Sequence, residues 1–285
     1  MDSENLELYF TIAGSLVRIS GEKDALFEDH GMLDPFRVEK ADPDHTIHCQ
    51  MVDEIPRPDG ELVFSNAERR VYREGSSCVS YIGRENAPFI RVARRGNGRI
   101  AQFARKSLGE KISPKAVLTA LEVEAMIAQA GGILLHASCI EYQGAAILFT
   151  APSGTGKSTQ AELWRECRGA EVINGDRIMI RFGRSGAEAV GIPFSGSSGI
   201  CKNRILPIRA IVYLSQAPEN GVAPLRGVKA FRNLWEGCSV HTWDREDTAN
   251  AMDAVQKLIA SVPIYHLACT PDERAVSALE QVLSK

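Results

Sequence analysis

Two glycines, a lysine and a serine stand close together in the stretch Ala151-Pro-Ser-Gly-Thr-Gly-Lys-Ser158. The apolar run 146–150 precedes them, and Thr159-Gln-Ala-Glu-Leu-Trp164, a helix-forming stretch, follows. Strand, glycine-rich loop and helix, with Gly-Lys-Ser at the junction, is the phosphate-loop arrangement. Gly154 and Gly156 let successive amides turn inward around phosphate oxygens at the positive end of a helix. Lys157 supplies a point charge for the β and γ phosphates, and Ser158 offers a hydroxyl to Mg²⁺. Ala151 stands where the strict pattern has its first glycine. Residues Ser153, Gly154, Thr155, Gly156, Lys157, Ser158 and Thr159 are therefore the expected nucleotide-binding set, with ATP and Mg²⁺ as the cofactors.

Such a loop needs a carboxylate from a neighbouring strand. Glu171-Val-Ile-Asn-Gly-Asp176 reads as that strand, with Asp176 at its end, where open α/β sheets bind ligands. Asp176 in this position would hold Mg²⁺, take a proton from an acceptor hydroxyl, or do both. The alternative is a turn at Gly175-Asp176, with the strand resuming at Arg177.

His136-Ala-Ser, the hairpin after it, the loop 150–159 and Asn174-Gly-Asp176 together resemble the catalytic domain of HPr kinase/phosphorylase and its relatives that share the phosphoenolpyruvate carboxykinase core. The resemblance implies that His136 lies beside the γ-phosphate and that Asp176 is the base. It implies a P-loop kinase core of that type within an α/β fold, and it is compatible with a homo-oligomer. It extends over roughly 130–285 and is strong over 136–180. Two departures separate the chain from HPr kinase itself. Gly175-Asp176 replaces a pair of adjacent aspartates, and the family's Glu-hydrophobic-Arg-Gly-hydrophobic-Gly signature is missing.

Residues 192–200 form a Gly/Ser-rich segment that reads as a mobile loop. Between 200 and 234 there are six bases and one acid. Phosphoryl transfer needs positive charge where negative charge builds up. The resemblance places a phosphate-assisting base in this region, and Lys202 and Arg204 are the candidates; a solvated basic loop is the alternative. Arg209, Arg226, Lys229 and Arg232 would instead attract an acidic substrate. Trp235 and Trp243 read as packing residues, with a pocket role as the alternative.

The elements that must position these groups divide the 285 residues into two parts. Residues 1–110 look β-rich, with short runs such as 6–12, 16–19, 47–52, 78–82 and 89–92 separated by turn residues. Residues 111–285 alternate strand and helix. Their first helix is expected to open at Ser113-Pro114 and to stop at Gly131-Gly132. The window 131–150 reads as two strands joined at Gln143-Gly144, not as a membrane span. Asp244 or Asp247 caps a helix over roughly 247–260, and Thr270-Pro-Asp-Glu273 reads as a capping box. The N-terminal part is a candidate for acceptor recognition.

The formal net charge of −3 excludes a wholesale nucleic-acid-binding balance. It averages opposed segments: eight acids against two bases in 1–35, and ten bases against two acids in 69–106. The Arg-rich segment (Arg91, Arg94, Arg95, Arg99) reads as a solvated face, or alternatively as one turned to an anionic ligand. Seven cysteines without Cys-x-x-Cys spacing, and an acidic start with no signal-peptide pattern, give a cytoplasmic expectation. The function these residues point to is Mg²⁺-dependent transfer of the γ-phosphoryl group of ATP to a hydroxyl of a peptide, small protein or small molecule. The alternatives are a non-catalytic nucleotide-binding module and a pyrophosphate-using or reversible phosphotransferase.

Overall fold

The computed structural model describes residues 5–75 and 77–284. The chain divides into two compact units, 1–123 and 124–285.

The first unit is built on one eight-stranded sheet. Its strands are β1 (Asn5–Ile12), β2 (Ser15–Glu22), β3 (His45–Val52), β4 (Glu61–Ser65), β5 (Arg69–Glu74), β6 (Ser77–Arg84), β7 (Ala87–Arg95) and β8 (Gly98–Ala104). Their spatial order is β1-β2-β3-β8-β7-β6-β5-β4. Neighbours are antiparallel except β2–β3 and β3–β8, which are parallel. A single helical turn, α1 (Arg105–Leu108), leads to α2 (Pro114–Leu121). Ser113 caps α2 by accepting from the Ala116 amide, as the sequence predicts.

Two expectations about this region change. The α2 helix packs against β7 and β8 of the first unit rather than opening the second. It also ends early. Glu122 takes a left-handed conformation (φ 52°), and a separate helix, α3 (Val123–Gln129), follows. Glu122 is buried and accepts from Ser80 Oγ (2.6 Å) and Arg69 (3.1 Å), with Arg94 at 3.5 Å. These contacts offset the cost of burying a carboxylate in an unfavourable backbone region.

The second unit contains β9 (Ile133–Tyr142), β10 (Ala145–Thr150), α4 (Lys157–Arg168), β11 (Glu171–Asn174), β12 (Arg177–Gly183), β13 (Gly186–Val190), β14 (Ile205–Gln216), β15 (Gly221–Pro224), α5 (Gly227–Gly237), α6 (Arg245–Ser261), β16 (Ile264–Cys269) and α7 (Glu273–Leu283). Two long strands, β9 and β14, each serve more than two partners. β9 pairs with β10, β11 and β12; β14 pairs with β10, β13 and β16. The pairings β10–β14 and β14–β16 are parallel.

Strand β10 shows why its run is apolar throughout. Ile147 and Phe149 pack with Trp164 of α4 and Val276 of α7, whereas Ala146 and Leu148 pack with Leu234 of α5 and Leu258 of α6. A strand covered on both faces has no polar alternation. The β9–β10 turn falls at Gln143-Gly144, both at positive φ (54° and 78°), which suits a two-residue hairpin. Asp244 caps α6, which begins at Arg245. The cap of α7 is Asp272, accepting from the Arg274 amide, and not Thr270. Among the described residues no helix is long and apolar enough to cross a membrane.

Candidate functional site

The C-terminal ends of β10, β14 and β16 lie at one edge of the sheet, because these three strands run parallel. The glycine-rich loop leaves β10 there. Gly154 (φ +78°) and Gly156 (φ +116°) both occupy backbone space that side chains avoid. Gly156 is the N-cap of α4 and brings no side-chain hydrogen bond to the helix start. The first-turn amides of α4 thus open towards the loop without a side-chain cap. Ser138 Oγ, fully buried on β9, donates to the Lys157 carbonyl at 2.8 Å and pins the helix start to the sheet.

Lys157 is 8% exposed, and its ammonium donates to the carbonyls of Ala151 (3.0 Å) and Pro152 (3.3 Å). Burial pushes it below the ordinary lysine range, and the charge of Asp176 pulls it partly back. Ser153, Gly154, Ser158 and Thr159 are exposed, and Thr155 and Gly156 are half-buried.

Asp176 arrives from the other side. β11 and β12 run successively along β9, with Glu171–Asn174 opposite 139–141 and Arg177–Ile180 opposite 133–136. Gly175-Asp176 is the break between them. Asp176 therefore does not end the strand run, which resumes at Arg177. Buried Asn174 shapes the break: its Oδ1 accepts from the amides of Asp176 (2.9 Å) and Arg177 (3.0 Å), and its Nδ2 donates to the Ile192 carbonyl (2.9 Å). The sequence offered a turn at Gly175-Asp176 as an alternative but did not single out Asn174 as the residue that aims Asp176.

His136 pairs in register with Arg177, so its ring sits beside the break. His136 Nε2 lies 3.1 Å from Asp176 Oδ1, with both side chains partly open to solvent. Asp176 Oδ2 is 3.6 Å from Arg177 Nε, and Arg177 also reaches Glu124 (3.5 Å) and stands over the Phe194 ring (5.5 Å). The His136 hydrogen bond, together with the charges of Arg177 and Lys157, holds Asp176 below the usual carboxylate range against the opposing effect of burial.

The segment expected to be mobile packs onto this pair. Gly196 (φ +54°) passes so close that a Cβ there would lie 2.7 Å from Asp176 Cβ. A Cβ on Gly175 would collide with Ser198 Oγ and lie 2.6 Å from its Cβ. The missing side chain at Gly175 is what admits Ser198.

Lys202 and Arg204 are not brought to the loop. Lys202 Nζ bonds Glu171 (2.6 Å), and Arg204 bonds Glu141 (2.7 Å) with Glu171 at 3.8 Å. Glu141 is four residues along β9 from Ala137, whose amide bonds the Asp176 carbonyl. At about 3.3 Å per residue that is roughly 13 Å along the strand, towards the hairpin end. The strand register thus turns these two bases into a surface ion cluster. Trp235 stacks on Phe231, and Trp243 stacks on His241. Among the described residues no group of three or more His, Cys, Asp or Glu could by itself hold a metal.

Two cavities flank the loop. One of about 530 Å³ is lined by Gly154, Gly156, Thr159, Gln160, Gln216 and Cys269. The other, of about 280 Å³, is lined by His136, Thr150, Ser153, Tyr213, Asn233 and Glu236.

No curated protein matches the chain. Among solved structures, the HPr(Ser) kinase/phosphatase from Coxiella burnetii is similar at 12% identity, over 53% of this chain and 87% of that chain, with a TM-score of 0.29. The sequence model of the family described as SynChlorMet cassette protein ScmC matches residues 115–284, which include the glycine-rich loop, His136 and Asp176. With well over half of its length matched, this chain belongs to the ScmC family of SynChlorMet cassette proteins.

Proposed function

We propose that the second unit is a phosphotransferase that uses MgATP and passes the γ-phosphoryl group to a hydroxyl acceptor. The observation that carries this reading is the convergence of three features. They are a glycine-rich loop with an open helix start, Lys157 within that loop, and a His136–Asp176 pair at 3.1 Å on its flank. The open amides and the two left-handed glycines fit a phosphate chain. Thr159 and Gln160, just past the loop, border the 530 Å³ cavity, whose size suits the nucleoside.

Lys157 would bind the β and γ phosphates. Ser158 and Asp176 would hold Mg²⁺, which would neutralise charge on the phosphate oxygens. The acceptor oxygen forms its bond to the γ-phosphorus as the bridging P–O bond to ADP breaks. The acceptor proton passes to the His136–Asp176 pair, in which the carboxylate orients the ring. Lys157→Ala and Asp176→Asn should each lower phosphoryl transfer by roughly 10²-fold or more in chains that remain folded, as their melting curves report. Full activity in either folded variant would refute the assignment.

Gly175 favours a second reading. With Ser198 packed where another carboxylate would extend, a nucleotide-binding module without transfer is the fallback. Calorimetric MgATP binding with no transfer and no slow hydrolysis would support that reading.

A further inference from the structure

The smaller cavity and the helix beside it say what kind of acceptor the site takes. At about 280 Å³ the cavity lies below the size that encloses a drug-sized ligand. It suits a short side chain whose parent molecule lies outside. Its floor is shared with the proposed chemistry, through His136, Thr150 and Ser153. Its far wall is the C-terminal half of α5, with Asn233 and Glu236, and Tyr213 of β14.

Helical spacing continues that wall along α5. Asn233 follows Lys229 by four residues, and Glu236 follows Arg232 by four, so each pair lies in one row on the helix. Ala230 and Leu234 occupy the core-facing side. Lys229 and Arg232 are exposed, as is Arg226 at the helix N-cap, and Val228 beside them is 85% exposed. Among the described residues Arg232 reaches only Glu236, at 4.0 Å. Among the described residues neither Arg226 nor Lys229 has an ion-pair partner. Three cations thus lead away from the mouth of the cavity, and this basic row calls for negative charge opposite it.

We propose that the acceptor is an acidic peptide segment whose Ser or Thr side chain enters the cavity beside His136 while its Asp or Glu residues lie along Arg226, Lys229 and Arg232. This rests on the phosphotransferase reading for the transfer step but not for the docking. Asn233, Glu236 and Tyr213 are placed to hydrogen-bond the peptide near the hydroxyl. Glu236 accepts a peptide N–H there rather than recognising charge.

The test uses the full chain and two labelled peptides that share an Ala in place of the acceptor Ser, one flanked by Glu and one by Lys. Fluorescence anisotropy without nucleotide should show the Glu-flanked peptide binding at least tenfold tighter, with the preference shrinking as salt rises. The double variant Lys229→Glu/Arg232→Glu should invert the preference, with its melting temperature reporting the fold. Equal binding of both peptides overturns the proposal, as does an unchanged preference in the folded double variant. The Ser versions with MgATP separate the two claims. Charge-selective binding without transfer would count against the phosphotransferase and leave the docking row standing. Transfer indifferent to flanking charge would do the reverse.

Discussion

Single residues set the proposed chemistry, and Asp176 is assigned most of it. Its partners His136, Arg177 and Lys157 all favour the ionised carboxylate, and they outweigh a burial that opposes it. Its titration midpoint, followed by carboxyl-carbon NMR, should therefore fall below the unperturbed value of about 3.9. A lowered folded value stabilises the fold above about pH 4, and that contribution is lost as pH falls through the folded midpoint. Arg177→Gln removes one of the causes and should raise the midpoint; an unmoved midpoint would show that Arg177 does not act on Asp176. Gly175 gives a second residue-scale prediction. Gly175→Ala should cost about 1–3 kcal/mol of stability, because its methyl group meets Ser198. Ser198→Gly in the same chain should restore much of the loss, as read by denaturant melts.

At the scale of elements, the glycine-rich loop was legible because its context is local. An apolar strand, the loop and a helix follow one another within about two dozen residues, and each has its own pattern. The β11–β12 run was legible only as the alternative, a turn at Gly175-Asp176 with the strand resuming at Arg177; the pairing of both strands along β9 was not, because those partners lie far away in sequence. Lys202 and Arg204 were misplaced for the same reason. Their distance from Asp176 is fixed by which residues of β9 lie opposite β11, and spacing along the chain does not contain that register. The break at Gly175-Asp176 depends on Asn174, whose Oδ1 accepts from two amides of the turn and whose Nδ2 donates to the Ile192 carbonyl. Asn174→Ala takes this acceptor from the Asp176 and Arg177 amides and should cost about 1–3 kcal/mol. It should also lower transfer by misaiming Asp176, with nucleotide affinity little changed. A stable variant with full transfer would remove Asn174 from the positioning role.

For the whole molecule, the net charge of −3 conceals internal pairing more than external demand. In the first unit Arg91 bonds Glu74 (3.1 Å), Arg94 faces buried Glu122, and Arg99 is itself buried. The Arg-rich segment is thus neither a plain solvated face nor an open anion site. Sequence showed the imbalance, but only the sheet register shows which acids answer it. In the second unit the exposed cations without an ion-pair partner among the described residues include Arg226 and Lys229 at the start of α5. All seven cysteines are free thiols. Burial pushes Cys49 and Cys139 well above the ordinary thiol range and Cys238 up to about 12. Alkylation mapped by mass spectrometry should label all seven in denaturant. In the native chain it should spare Cys49 and Cys139, and MgATP should slow labelling of Cys269, which lines the larger cavity.

In the proposed reaction the loop 151–158 and the His136–Asp176 pair act together on the γ-phosphate of ATP. Phosphorus NMR of MgATP incubated with the chain and an acidic Ser-containing peptide tests it most directly. The wild type should give conversion to ADP and a phosphoserine signal, and folded Lys157→Ala or Asp176→Asn should give neither above background. The same signals at wild-type rate in either variant would contradict it.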